Sequence, residues 1–251
     1  MKNKKIVMIS TIMACCLFTV LGANAQNNQN SMAKSMKEKG YIGITGGFSP
    51  VFGNFSKAEY SDPKSGFASS GMNIGLTGVY FIKHHFGIKG LISYNGYGYH
   101  GAQSLADGYK EAFDLDSTTL YRKGNNRTFN ILVGPYYSLP LSDRLHLDFS
   151  VLIGYSNAQL AGNELFLEDG VGNQFEQKPA TASAFGYQAG AGLRYDLGRH
   201  FGIGIQADYF GANPDFKVDN TNRKNEAGRL LTQYHEPIQS LNLNLTVIYR
   251  L

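Results

Sequence analysis

From Leu241 to the last residue, every second position is apolar: Leu241, Leu243, Leu245, Val247, Tyr249 and Leu251, interleaved with Asn242, Asn244, Thr246, Ile248 and Arg250. A period of two marks a strand with two unlike faces. Chain ends usually fray, so a strand that runs to the final residue needs a partner strand and an oily surrounding for one face. The same alternation recurs upstream and predicts eight strands, at 40–49, 71–82, 86–98, 128–139, 144–156, 184–197, 201–210 and 238–251. It is plainest in "FGYQAGAGLRYDL", where Phe185, Tyr187, Ala189, Ala191, Leu193, Tyr195 and Leu197 share a face. Neither a heptad pattern nor a helix-length apolar run follows residue 22.

The connections alternate in length. Short ones fall at 83–85, 140–143 and 198–200, and long ones at 50–70, 99–127, 157–183 and 211–237. That layout predicts an all-β chain forming an eight-stranded antiparallel up-and-down transmembrane β-barrel, with short periplasmic turns and four long extracellular loops. Closure would pair the last strand with the first and leave no edge. Pro135 lacks the N–H a ladder needs, so a local bulge is expected there.

A soluble barrel would alternate too, and the less apolar face decides between them. Its 39 positions on strands two to eight include nine glycines and only six charges: Lys89, Asp148, Arg194, Asp196, Asp208 and Arg250. A water-facing surface carries about 25–35% charged residues. Small residues instead suit the interior of a narrow barrel, which side chains fill at about eight strands. The apolar face then meets lipid. Phe86 and Tyr94, Phe129 and Tyr137, Tyr187 and Tyr195, and Phe201 and Tyr209 are each eight residues apart on that face. Tilted strands of that length rise about 19–22 Å along the axis, near the spacing of two aromatic girdles. Tyr80 and Tyr249 fall with the periplasmic girdle, Phe48 and Tyr155 with the outer one.

The N-terminus agrees with export. "MKNKK", the apolar "IVMISTIMACCLFTVLG" and "ANAQ" read as a secretory signal peptide, residues 1–25, cleaved after Ala25 on the Sec pathway. A leader at 26–39 precedes the barrel domain at 40–251. Cleavage removes Cys15, Cys16, Lys2, Lys4 and Lys5, so the mature chain has no thiol and its net charge falls from +4 to +1. The basic pI of about 8.9 therefore gives no reason to expect nucleic acid.

The meander, the "ILVGPYYSLPL" strand and the terminal strand together resemble the small outer-membrane β-barrel domains of Gram-negative bacteria, including PorT-like barrels. The resemblance implies a cell outer-membrane location, surrounding lipid, and a last strand read by the barrel-assembly machinery. That strand usually ends on an aromatic. Tyr249 fits the pattern and Leu251 departs from it.

Candidate chemistry is sparse. His146, Asp148 and Ser150 share the inward face but sit at the periplasmic end, where a hydrogen-bonded network accounts for them. His84 and His85 have no carboxylate for a metal site, and "GAGLRY" opens no helix that could receive a phosphate. No cofactor is expected. The lumen charges Lys89, Asp148, Arg194 and Asp208 are expected to pair, Asp148 with Arg194 above all, because unpaired buried charge is costly. A barrel so filled has no wide pore. Function then falls to the long loops, the third of them acidic (Glu164, Glu168, Asp169 and Glu176 against Lys178). The reading is a monomeric, non-enzymatic barrel with a structural, adhesive or assembly-partner role, its loops contacting an extracellular or periplasmic protein partner, or lipopolysaccharide through bridging cations. A lipid-modifying enzyme would need Ser104, His100 and Asp107 to converge. A narrow solute channel is the other alternative.

Overall fold

A computed structural model describes residues 39–251 apart from 63, 113, 115, 168–173 and 223–229. The signal peptide and residues 26–38 of the leader lie outside the described residues, as do Glu168 and Asp169. Eight strands close into an antiparallel barrel: β1 (Gly40–Ser49), β2 (Ala68–Lys83), β3 (Phe86–Tyr99), β5 (Asn126–Pro140), β6 (Leu145–Leu160), β9 (Ala180–Asp196), β10 (Phe201–Ala212) and β13 (Ile238–Arg250). The order around the wall is β1-β13-β10-β9-β6-β5-β3-β2. The terminal strand is paired on both edges, with Tyr249 opposite Ile42 on one side and opposite Phe201 on the other. Leu251 donates its N–H to the Gly40 carbonyl at 2.9 Å. Closure keeps the chain end ordered.

The faces divide as alternation demands. Ile44, Ile74, Leu76, Val133, Val151, Ile205 and Leu245 are exposed to the outside. Asn73, Thr77, Lys89, Asn130, Asp148, Arg194 and Asp208 are buried inside. No bulge forms at Pro135. Val133 still faces Ile153 and Tyr136 faces Ser150 in one unbroken register, and only the two rungs between them are lost. The proline's missing N–H falls where Gly134 already lets the backbones crowd together, since a Cβ there would collide with the Val151 carbonyl.

The long connections are not open loops. Three of them carry strands, β4 (Thr118–Lys123), β7 (Gly162–Leu167), β8 (Gln174–Gln177), β11 (Asp215–Asn222) and β12 (Leu230–His235), which form one sheet ordered β12-β11-β8-β7-β4. Each is a barrel strand resumed after a break of a few residues. The neighbours are the same as in the barrel below, so the sheet continues the wall upward over part of the circumference. Pro179, Pro214 and Pro237 occupy three of the breaks, where a residue without an N–H interrupts the ladder at least cost. At the other two, Gly124 adopts φ +80° between β4 and β5, and the N–H of Ala161, between β6 and β7, is held by Asn126 Oδ1 at 2.9 Å. A helix, α1 (Ala102–Ala112), packs on β4, with Thr118 Oγ1 donating to the Ala106 carbonyl at 2.7 Å.

Along these continuous strands the polarity inverts. In β10, Ile203, Ile205 and Ala207 face out and Gln206 and Asp208 face in. From Phe210 onward the buried side becomes apolar: Phe210, Ala212, then Phe216 and Val218 of β11. Asp215 and Lys217 now face out. Water has replaced lipid outside, so the apolar side chains move within. This sheet and α1 form a folded extracellular head.

Candidate functional site: the lumen and the extracellular head

Three layers fill the lumen. Nearest the short turns, Tyr41 Oη donates to Tyr136 Oη at 3.0 Å, and Phe81 meets Tyr136 edge-on at 5.8 Å between ring centroids. Beside them Arg194 is spread among several acceptors. Its Nε lies 3.3 Å from Asp148 Oδ2, its Nη1 3.3 Å from Asp196 Oδ1, and its Nη2 donates to Ser138 Oγ at 3.3 Å. Ser138 Oγ in turn donates to Asp148 Oδ1 at 2.6 Å, and Arg250 Nη1 reaches Asp196 Oδ2 at 3.1 Å. Buried charges persist when their remaining lone pairs and protons are satisfied this way.

Lys89 does not join that network. Its Nζ donates to Gln206 Oε1 at 3.1 Å, and no carboxylate of the described residues lies within ion-pair distance. Asp208 accepts from Asn244 Nδ2 at 3.5 Å, and Gly190 leaves the space its carboxylate fills. The expected single charge network is therefore divided: Asp148 and Arg194 pair, while Lys89 and Asp208 each take a neutral partner apart from them.

Higher still runs a belt of uncharged groups: Ser156 to Asn130, Asn130 and Asn95 to Thr128, Asn95 to Tyr97, Tyr97 to Ser240, Ser240 and Ser49 to Asn242, and Asn73 to Ser49. It ties six of the eight barrel strands together across the lumen. Its signal in the sequence is the run of Asn, Ser and Thr at inward positions. Above it lies an apolar plug. Phe55, from a 3-10 turn at Gly53–Ser56, meets Tyr97 edge-on at 5.2 Å and packs with Phe210, Phe216, Val218 and Ile238.

All eight girdle aromatics lie on the outward face. Phe86 opposes Tyr137 and Tyr94 opposes Phe129 across one strand pair. Tyr195 opposes Ile203 in the lower level. Tyr187 and Tyr209 are half-buried rather than exposed, because their rings pack together at 6.0 Å and Phe52 covers Tyr209 at 5.6 Å.

Of the candidate catalytic groups, Ser150 Oγ is buried without a hydrogen-bond partner among the described residues, and the others are engaged elsewhere. His146 Nε2 is 3.2 Å from Asp196 Oδ2, while Asp148 serves Ser138 and Arg194. Ser104 Oγ donates to the Ala58 carbonyl at 3.1 Å, His100 Nε2 is 2.7 Å from the Ser56 carbonyl, and Asp107 accepts from Gln103 at 2.8 Å. These three are not brought together. His85 Nδ1 lies 3.0 Å from the Ser138 carbonyl. Among the described residues no group of three metal-ligating side chains converges.

On the head, the outer face of β4, β7 and β8 carries an exposed aromatic pair, Tyr121 and Phe166, with rings edge-on at 5.5 Å. Beside it Lys123 Nζ lies 2.9 Å from Glu164 and 2.7 Å from Glu176. At the seam between head and barrel, Glu236 is buried with an unpartnered Oε1 against Gly66 and Phe55. Burial pushes its carboxyl up to about 7.

A closed barrel with an apolar outer band, aromatic girdles, short turns at one end and a folded head at the other is an integral outer-membrane barrel. A family model for the outer membrane protein beta-barrel domain matches residues 13–228, and the chain belongs to that family. It is an outer-membrane protein. Among solved structures it is similar to Ail, the attachment invasion locus protein of Yersinia pestis (14% identity, 86% of this chain and 100% of that chain, TM-score 0.45). It is also similar to OprG of Pseudomonas aeruginosa (12% identity, 86% and 99%, TM-score 0.44) and to Neisserial surface protein A (12% identity, 85% and 97%, TM-score 0.41). No curated protein sequence matches the chain.

Proposed function

We propose that this protein is a non-conducting, non-enzymatic anchor that holds a folded head outside the cell for contact with a protein partner. The observation that carries the reading is the inversion of polarity. A barrel built only to conduct has no use for strands that continue above the membrane with an apolar core of their own. That core, through Phe55, Phe210 and Phe216, also fills the mouth of the lumen. The outer face of β4, β7 and β8 is the contact surface, since an exposed Tyr-Phe pair rimmed by charge is the composition that anchors interfaces.

Planar-bilayer recording tests the anchor reading. The refolded protein gives no sustained conductance steps, and stable steps in the unmutated protein would overturn it. Photo-crosslinkers at Tyr121 and at Ile205 in intact cells test the surface. A discrete protein adduct forms at position 121 and none at 205. Lipid adducts alone at both positions would remove the partner role.

A further inference from the structure

Inside the head, one cation has no counterpart among the described residues. Arg122 on β4 points to the interior, the side shared by Leu120 and by Asn163 and Leu165 of β7, its neighbours across the ladder. Its guanidinium lies over the Tyr99 ring, 3.9 Å from the centroid. Its Nε donates to the Gly124 carbonyl at 3.1 Å, which fixes the plane of the group. Both terminal nitrogens, Nη1 and Nη2, are shut off from water and donate to nothing among the described residues. The Tyr99 hydroxyl and Asn163 Oδ1 are likewise buried and unpartnered. Neighbouring carboxylates do not serve it, because Glu164 and Glu176 are on the opposite face with Lys123.

Two parallel N–H groups on a planar, permanently charged fork match the two oxygens of a carboxylate or phosphate. Leaving them empty costs the full desolvation of the donors, so a sequence with no use for an anion would be expected to hold a neutral residue here. Lysine would supply charge without the fork. Asn163 supplies either a donor or an acceptor, since its amide can be turned, and Tyr99 adds a hydroxyl donor.

We propose that Arg122, Tyr99 and Asn163 form a binding site for a single oxyanion group, a carboxylate or phosphate, within the extracellular head. The site deepens the reading of the head as the working part of the molecule and rests on it.

Titration of the full-length protein, refolded in a nonionic maltoside detergent at fixed ionic strength in chloride, tests the site. The probes are sodium acetate and inorganic phosphate. The chain has no tryptophan, so tyrosine emission, compared with Tyr99→Phe, gives the binding curve, and the Arg122 Nε–H resonance reports the contact itself. Expected is a saturable response to one or both anions, weakened about tenfold or more in Arg122→Gln. Arg122→Lys should be weakened nearly as much, and Tyr99→Phe less. Heat-modifiable gel mobility confirms that each variant is folded. An absent or unsaturable response, or one unchanged in Arg122→Gln, would overturn the proposal.

Repeating the titration in vesicles with and without lipopolysaccharide identifies the source. Loss of the response only with lipopolysaccharide present would assign the site to its phosphates, and retention would assign it to a soluble anion. A head that binds phosphate yet gives no adduct at position 121 would keep this site and discard the partner role. The reverse result would do the opposite.

Discussion

The barrel and the head are built from the same strands in the same order, and they solve opposite solvation problems. Within the membrane, Ile205 and Leu193 face each other across β10 and β9 on the outside, while Gln206 one residue on turns in to hold Lys89. Above it, Phe216 and Val218 turn in while Lys217 between them faces water. A strand has no intrinsic inside. The surrounding solvent decides which of its faces is apolar, and one continuous strand can be read twice.

The largest effects follow from the two interiors. Phe216→Ala removes a fully buried ring from the head core and should cost about 3–5 kcal/mol. Its signature is regional: proteolysis should cleave the head while the barrel keeps its heat-modifiable mobility. Simultaneous loss of both would show that the two regions unfold as one. In the barrel, Asp148→Ala leaves Arg194 with Asp196 as its remaining acid, so the expected cost is about 3 kcal/mol, the low end for breaking a buried pair. A double-mutant cycle with Arg194→Met on urea unfolding in vesicles checks it. Losses that add would mean that the two side chains do not interact.

The outside gives the next contrast. Leu193→Arg places a guanidinium near mid-bilayer and should cost about 2–4 kcal/mol. Thr119→Arg, on the outer face of the head, should change stability by less than about 0.5 kcal/mol. Equal effects at the two positions would mean that the head is not in water.

The barrel was legible because its signal is repeated and long. Alternation over ten residues or more on eight strands, with aromatics at a fixed interval, cannot be produced by a single accidental run. The head was hidden by its brevity: β7 has six residues and β8 four, flanked by Asn, Glu and Gly that read as loop. "DFKVDN" does alternate, yet with its apolar side at Phe216 and Val218 it belongs to the face that β10 reserves for polar groups. A fixed assignment of faces hides such a segment. The lumen was half legible. Asp148 and Arg194 could be placed together by counting up from the short turns, since neighbouring strands share that origin. Lys89 could not be placed that way, because strand tilt puts equal counts on distant strands at different layers. Arg122 carried no signal beyond being one basic residue in a charge-balanced loop, and its isolation depends on which way β4 faces.

The smallest effect lies at the seam between the two regions. Glu236 precedes β13, above the outer girdle, and its buried carboxyl is raised from 4.5 to about 7 with no compensating charge. An acid whose folded pKa is raised binds its proton more tightly in the folded state. Its contribution is thus fully present below the unfolded value near 4.5 and is lost as pH climbs through about 7. Deprotonation would set a carboxylate against Gly66 and beside Phe55, the residue that corks the lumen. A tenfold difference in proton affinity between the folded and unfolded chain is worth about 1.4 kcal/mol. Relaxation of the first loop to admit water reduces the total, so about 2 kcal/mol is expected between about pH 5 and pH 8. Glu236→Gln should abolish that dependence, matching the unmutated protein at the acid end and exceeding it at the alkaline end. The measurement is hydrogen exchange at residues 52–67 and 236–241 across that range, with exchange in the lower barrel as the internal reference. If raising the pH loosened both regions equally, or if Glu236→Gln left the profile unchanged, the seam would not be where the head and the barrel can be uncoupled.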